Sequence, residues 1–270
     1  MRNRLILIVL LALLPAAVPH LAAQEAASAV APTPTWSLSW DHGVGFARFR
    51  EPLSSPITYR GPALLTAFGV ERRVGHWTVS FAQRLLPAVH APRTASLLSL
   101  SAVGLDLETE LLARRDVWHN DRWRFDLGAG IANWAGIRYN AQHENTSVGV
   151  TDAVQLMLEA GVECALFRRL SALLDVRFSP VALAARPGFT YMDNYTAGND
   201  VASTVGRDYR FGPSAWPLTH VEWGLAYRAA GGNRVELTYR WRFVDIGLSG
   251  SQPLEGASHL VLLRFKFALA

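Results

Sequence analysis

Charged residues recur at every second position inside otherwise apolar segments of this chain. In the segment 234–243 (RVELTYRWRF), Glu236, Arg240 and Arg242 alternate with valine, leucine and aromatic residues. Alternation with a period of two gives a strand one apolar face and one polar face. Carboxylates and guanidinium groups on facing strands can neutralise one another as ion pairs, select a solute, or position a proton-transfer group.

The same alternation in other segments extends this polar face, which we call the inward face. Its predicted members are Asp106, Glu108, Glu110, Arg124, Asp126, Glu159, Glu163, Asp175, Arg177, Glu222, Arg228, Glu236, Arg240, Arg242, Arg264 and Lys266. If the strands close into a narrow barrel, these charges predict an ion-pair network that fills the lumen. A narrow, porin-like solute channel is the alternative, because a polar lumen can also select ions.

An enzyme acting on lipid is the second alternative. His220 and Glu222 share the inward face two residues apart, and Glu236 is expected to face them from the adjacent strand, so the group could position a base. No serine stands beside His220 in an inward position. The sequence therefore predicts no catalytic residues and a protein that is not an enzyme.

The elements that carry these residues are long strands joined by links of alternating length. About ten strands are expected, with a range of about 8 to 12, and many exceed the usual five or six residues, as a tilted crossing of a bilayer requires. Residues 75–76, 168–169 and 230–233 read as tight turns, with a longer turn at 114–122. Longer links are expected at 49–61, 88–95, 140–147, 188–214 and 250–256. This pattern predicts an all-β fold: a single closed, antiparallel, up-and-down transmembrane β-barrel.

The N-terminal segment reads as a cleaved export signal. Arg2 and Arg4 precede the apolar stretch 5–17, and small residues follow near Ala23. We therefore expect a signal peptide over 1–23, an Ala/Pro-rich leader over 24–35 and a barrel domain over 36–270. Removal of the signal leaves 24 Lys and Arg against 22 Asp and Glu, so the near-neutral mature chain favours no nucleic-acid partner.

The alternation from Trp36 to Ala270 resembles that of bacterial outer-membrane β-barrel proteins. The final segment, HLVLLRFKFALA, is similar to their closing strand, although Phe267 is followed by three more residues. The resemblance implies residence in the outer membrane, contact with outer-membrane lipid and handling by the barrel-assembly machinery. It identifies no specific functional family. Lipid-modifying enzymes occur in the same class.

The link at 188–214 is the predicted binding element. Tyr and Asn side chains give adaptable contacts on exposed loops, and long loops are often functional. Its candidate ligand-binding residues are Tyr191, Asp193, Tyr195, Asp200, Arg207 and Tyr209. A small solute or a surface ligand would be the partner, and a lid over the barrel mouth is the other interpretation. A single cysteine and the lack of a calcium-loop spacing predict no metal site and no cofactor.

Overall fold

The computed structural model describes residues 35–51, 55–92, 102–140, 147–185, 190–191, 209–212, 219–246 and 254–269. The predicted signal peptide and all but the last residue of the predicted leader lie outside these ranges. Within them, no helix is long and apolar enough to cross a membrane.

Within the described ranges, ten long strands and two short ones make up the fold. They are β1 (Thr35–Glu51), β2 (Ser55–Val74), β3 (Trp77–Pro92), β4 (Ala102–His119), β5 (Trp123–Asn140), β6 (Ser147–Phe167), β7 (Leu170–Ala185), β8 (Thr190–Tyr191), β9 (Tyr209–Gly212), β10 (Thr219–Arg228), β11 (Arg234–Ile246) and β12 (Leu254–Leu269). A single 3₁₀ turn, Ala230–Gly232, lies between β10 and β11. The predicted number of long strands is confirmed.

The sheet closes on itself. Each long strand pairs antiparallel with its neighbours, β7 pairs with both β6 and β10, and β1 pairs with β12 from Trp36↔Leu269 to Arg50↔Glu255. The short strands lie off this circuit, with β8 paired to β6 and β9 paired to β7. The chain is therefore a closed, ten-stranded, up-and-down barrel, as the alternation predicts.

The tight turns all lie at one end of the barrel, which we call the turn end; the other is the link end. Turns at 75–76, 120–122, 168–169 and 229–233 join the strands at the turn end, where β1 begins and β12 finishes. The expectation of a longer turn at 114–122 is wrong. Strand β4 continues to His119 through a bulge. Because a bulge interrupts the simple alternation of faces, the sequence pattern does not indicate the last residues of this strand.

The predicted extent of the link at 49–61 is also wrong. Proline and glycine suggested a loop, yet β1 and β2 pair as far as Glu51↔Ser55, so only positions 52–54 separate them. Phe49 stacks on Tyr59 with ring centroids 5.1 Å apart, and this contact favours the continued pairing. The strands thus extend further towards the link end than their composition indicates.

The outer surface of the barrel is apolar. Large hydrophobic side chains on successive outward positions stay exposed, among them Val44, Leu64, Ile131, Leu237 and Val261. A soluble protein rarely leaves so much contiguous apolar surface in water, whereas a bilayer solvates it favourably. The outward face is thus suited to contact with lipid.

Aromatic residues form an outward girdle at the turn end. Trp36, Trp77, Trp118, Trp123 and Tyr227 are all exposed there, at the ends of five different strands. The guanidinium group of Arg72 lies 5.2 Å from the Trp36 ring centroid, and that of Arg115 lies 5.8 Å from the Trp77 ring centroid. Amphipathic rings with cationic neighbours are typical of the membrane–water boundary.

Side chains fill much of the barrel interior. One apolar cluster surrounds Trp134 and Met157, which are each 1% exposed, and a second surrounds Leu260 and Leu262 on the opposite wall. Charged residues, and uncharged polar ones such as Gln155, Thr238 and Ser258, occupy many of the remaining inward positions.

Glycine allows close contact between β1 and β12. A Cβ atom on Gly45 would lie 1.9 Å from the backbone oxygen of His259, whereas one on Gly43 would lie 2.2 Å from the flexible Leu262 side chain.

We expect Gly45→Ala to lower the free energy of unfolding by about 2 kcal/mol or more, because the backbone must shift. Gly43→Ala should cost less, about 1 kcal/mol, because its shortest contact is with the end of the Leu262 side chain, which can move more readily than backbone. Urea unfolding in lipid vesicles, followed by tryptophan fluorescence, measures both; equal losses would contradict this.

Candidate functional site

The inward charges meet in layers across the lumen. We call Arg84, Glu108, Glu110, Arg177, Glu222 and Arg240 the central layer, because these residues come from five strands and lie near mid-height. Arg84 of β3 pairs with Glu110 and, at 3.0 Å, with Glu108 of β4. Arg177 of β7 lies 3.0 Å from Glu110 and 3.0 Å from Glu159 of β6. Glu110 is thus held between two guanidinium groups, so its buried charge is compensated.

Arg240 and Glu222 form the other half of the central layer. The Nε and Nη2 atoms of Arg240 both donate to Oε2 of Glu222, at 2.9 and 2.6 Å. The Thr238 hydroxyl donates to Oε1 at 3.0 Å, and Arg264 lies 3.1 Å from the same atom. Charge-assisted bonds of this kind are the strong ones, and Arg240 is only 2% exposed.

A contact towards the link end spans the lumen. Arg242 of β11 donates to Asp106 of β4 at 3.0 Å, and Arg138 of β5 pairs with the same carboxylate. The Arg242 guanidinium lies 5.6 Å from the centroid of Trp134. The residues of this bridge belong to opposite walls of the barrel, so the lumen is crossed there by paired side chains.

Towards the turn end the pairs form a second set, the turn-side layer. Arg264 binds Asp41 and Glu236, each at 2.9 Å, and Lys266 lies 2.6 Å from Glu71. Further pairs join Arg234 to Glu163 at 3.0 Å, Arg124 to Glu163 at 3.2 Å, Arg124 to Asp126 at 3.0 Å, and Arg114 to Glu71 at 2.9 Å.

Most members of the predicted inward face therefore point into the lumen and meet there. Asp175 lines the cavity below the central layer. Arg228 is the exception: it is exposed at the turn end, in register with Arg234. The strand finishes there, so its side chain lies at the barrel mouth and not among the pairs of the lumen.

Sequence reasoning missed several members of these layers: Asp41, Glu71, Arg84, Arg114, Arg138 and Arg234. Asp41, Glu71 and Arg84 lie on β1 to β3, whose alternation is weaker. Arg114 was placed in a turn. A stricter count of alternate positions along β3 would have found Arg84, since Arg84 and the buried Leu86 follow one another on the same face.

The predicted His220 group is arranged differently from the expectation. Glu236 is in register with Ala226, not with Glu222, so it lies four residues further towards the turn end. The Nε2 atom of His220 lies 3.9 Å from Glu108, and neither ring nitrogen hydrogen-bonds to another described residue. His220 is 3% exposed beside the central layer.

A charged cavity lies between the central layer and the turn end. It has a volume of about 240 Å³, and its wall includes Asp41, Glu71, Asp175, Arg264 and Lys266. A cavity of about 10 Å³ borders the central layer, and another of about 30 Å³ lies towards the link end. A water molecule needs about 10–15 Å³ of such space, so these two cavities hold very few waters.

The link between β7 and β10 is described only in part. The backbone of Tyr191 pairs with Ser147, and that of Tyr209 pairs with Ala185. Both residues therefore extend the barrel wall at the link end. The other predicted ligand-binding residues, Asp193, Tyr195, Asp200 and Arg207, lie outside the described residues.

No protein-family model matches the chain, and no curated protein matches it. Solved structures with a similar fold are bacterial outer-membrane barrels. The outer membrane protease OmpT from Escherichia coli is 8% identical, with 90% of this chain and 99% of that chain covered and a TM-score of 0.46. The translocator domain of the autotransporter NalP from Neisseria meningitidis is 9% identical, with 94% and 95% covered and a TM-score of 0.45. Neisserial surface protein A is 10% identical, with 87% and 100% covered and a TM-score of 0.36.

The central layer should contribute to stability through matched partners. We expect Arg240→Ala to lower the free energy of unfolding by about 3 kcal/mol, because the buried Glu222 carboxylate loses its main partner. The double variant Glu222→Gln/Arg240→Met should recover about half of that loss, because both charges of the pair are removed and Arg264 keeps Asp41 and Glu236 as partners. The measurement is urea unfolding in lipid vesicles. Arg73→Ala at the rim is the control and should change the value by less than about 0.5 kcal/mol; a similarly small loss in Arg240→Ala would refute the expectation.

Proposed function

We propose that this chain is a non-enzymatic outer-membrane barrel protein whose lumen is closed by ion pairs and whose long link, residues 188–214, binds a ligand at the cell surface. The apolar outer surface and the aromatic girdle support residence in a membrane. A closed barrel leaves no strand edge unpaired in lipid, which is what a hydrocarbon environment requires.

The distribution of links supports one orientation in the membrane. Barrels of this class have short periplasmic turns and longer outer loops. The turn end, with its four tight turns, then faces the periplasm, and both barrel termini lie on that side. The link end, where β8 and β9 extend the wall, faces outward.

The proposal that the lumen is closed rests on one observation, the ion pairs of the central layer. Its side chains come from five strands, and Arg177 of β7 reaches Glu110 of β4 across the interior. The other pairs, such as that of Arg240 with Glu222, join neighbouring strands. A passing ion would have to separate buried pairs, whose charges have little water to replace their partners. The Trp134 cluster and the Leu260 cluster add apolar side chains on either wall.

The buried position of the His220 side chain supports a non-enzymatic role. A general base must reach the proton that it abstracts, directly or through one water. His220 is buried beside the central layer and lies 3.9 Å from its nearest carboxylate. A lipid substrate approaching from the bilayer would meet the outer surface of the strands and not this side chain.

The cavity of about 240 Å³ favours a narrow channel as a second candidate. Its wall carries both acids and bases, and it lies directly below the central layer. Displacement of that layer would connect the cavity to the link end. In this candidate function the central layer is a gate, and a small polar solute is the cargo.

Conductance in planar lipid bilayers separates the two candidates. We expect the wild-type barrel to carry negligible steady current, because the pairs of the central layer stay closed. Arg84→Ala/Arg240→Ala should carry measurable current, because two large side chains are removed from the layer. Arg72→Ala, on the outer surface, is the control and should behave as wild type. Steady ion-selective current through the wild type that changes when Arg240 and Arg242 are neutralised would favour the channel.

Surface proteolysis of intact cells tests the orientation. We expect cleavage within 188–214, because that link faces outward, and protection of the turn at Arg168–Arg169, because it faces the periplasm. Mass spectrometry of the released fragments identifies the cut. Cleavage at Arg168–Arg169 in intact cells, with the link protected, would reverse the orientation.

A further inference from the structure

Three metal-ligating side chains converge at the turn end, outside the ion-pair layers. His76 lies in the turn between β2 and β3, and Asp116 and His119 lie near the end of β4. One ligand atom from each of the three residues can be chosen so that all lie within 4.8 Å of one another. Two ligand atoms that are each about 2 Å from one ion lie at most about 4 Å apart, so small side-chain movements would bring all three atoms onto a single ion.

The fold holds the first two ligands together through the backbone. The amide of Asp116 donates to the carbonyl oxygen of His76 at 2.8 Å, which ties the end of β4 to the turn. Gly75 supplies the positive φ of 60° that this two-residue turn needs. The positions of His76 and Asp116 are therefore fixed by a turn and a ladder hydrogen bond.

A bulge in β4 supplies the third ligand. Asp116 is opposite Asp126 and Trp118 is opposite Phe125, so Val117 is an extra residue with no counterpart on β5. Simple alternation from Asp116 would place His119 on the outward face. The extra residue instead sends Trp118 outward and returns His119 to the side of Asp116, where its Nδ1 atom lies 3.2 Å from a carboxylate oxygen. Bulges commonly re-aim side chains in this way beside functional sites.

The surroundings suit an ion that keeps open coordination positions. The Asp116 side chain is 6% exposed, whereas that of His119 is 57% exposed. The three residues border a cavity of about 660 Å³ at the barrel mouth, which also contacts Asn120 and Asp121. The carboxylate is thus anchored, and solvent or a small ligand can reach the remaining positions.

We propose that His76, Asp116 and His119 bind one divalent transition-metal ion of the zinc, copper and nickel class. Imidazole nitrogen suits these ions, and one carboxylate supplies partial charge compensation. Calcium and magnesium prefer ligand sets made of oxygen, so two histidines select against them.

Arg73 lowers the affinity of the site for a cation. Its Nη2 atom lies 4.0 Å from the Asp116 carboxylate, and its side chain is 52% exposed. The guanidinium group competes with a bound cation for the same carboxylate, and it can turn into solvent when the ion binds if its long hydrogen bond to the Gly75 carbonyl oxygen, 3.4 Å, is given up. Removal of this competitor should strengthen metal binding, whereas removal of a ligand should weaken it.

The test is calorimetric titration of Zn²⁺ into the full-length, untagged barrel in detergent at neutral pH. We expect one equivalent of Zn²⁺ per chain. Affinity should fall about tenfold or more in His76→Ala and in His119→Ala, and it should rise a few-fold in Arg73→Ala. His42→Ala removes a histidine from the outer surface of β1 and is the matched control. It should leave the titration unchanged.

Electron paramagnetic resonance with Cu²⁺ gives a second readout. The wild-type spectrum should show coupling to two imidazole nitrogens, and each histidine variant should show one. Absence of stoichiometric Zn²⁺ binding in the wild type, or equal loss in His76→Ala and His42→Ala, overturns the proposal. If a ligand variant does not fold, the wild-type Cu²⁺ spectrum decides, because a spectrum without two-nitrogen coupling also overturns it.

Discussion

Closure of the sheet between the first and last long strands is the constraint on which the rest of the structure depends. β1 and β12 pair along their length, so the ten-strand circuit has no open edge. In hydrocarbon, each backbone polar group without a hydrogen-bond partner costs roughly several kcal/mol. The apolar side chains of the outer surface cannot supply such a partner. Closure also creates the enclosed interior. Charged residues can lie there because they pair with neighbouring strands and, as Arg242 does with Asp106, with the facing wall.

Alternation predicted the architecture because it records the two environments of each strand. Where one face meets lipid and the other meets paired charge, as in β11, successive residues differ sharply and the strand is evident. In β1 and β2, small and aromatic residues also face inward, beside glycine and proline. The contrast between the faces is weaker there, so the extension of these strands to Glu51 and Ser55 could not be predicted.

The partners of the inward charges were beyond prediction for a different reason. Alternation assigns a residue to a face but gives neither its height nor its lateral neighbours. Those depend on register, which set Glu236 opposite Ala226 rather than Glu222. The cluster of His76, Asp116 and His119 was hidden by the bulge at Val117, since one extra residue reverses the assignment of everything beyond it.

The bridge between Arg242 and Asp106 has a consequence for the order of assembly. Its two residues are 136 positions apart and belong to opposite walls. A half-formed sheet containing β4 but not β11 would hold Asp106 without this cation, next to lipid or in an open groove. Asp106 would then keep Arg138 of β5 as a partner, and its second cation arrives only with the C-terminal strands. A barrel of this kind gains part of its electrostatic stability in the last step of folding, when β11 and β12 bring Arg240, Arg242 and Arg264 to their carboxylates.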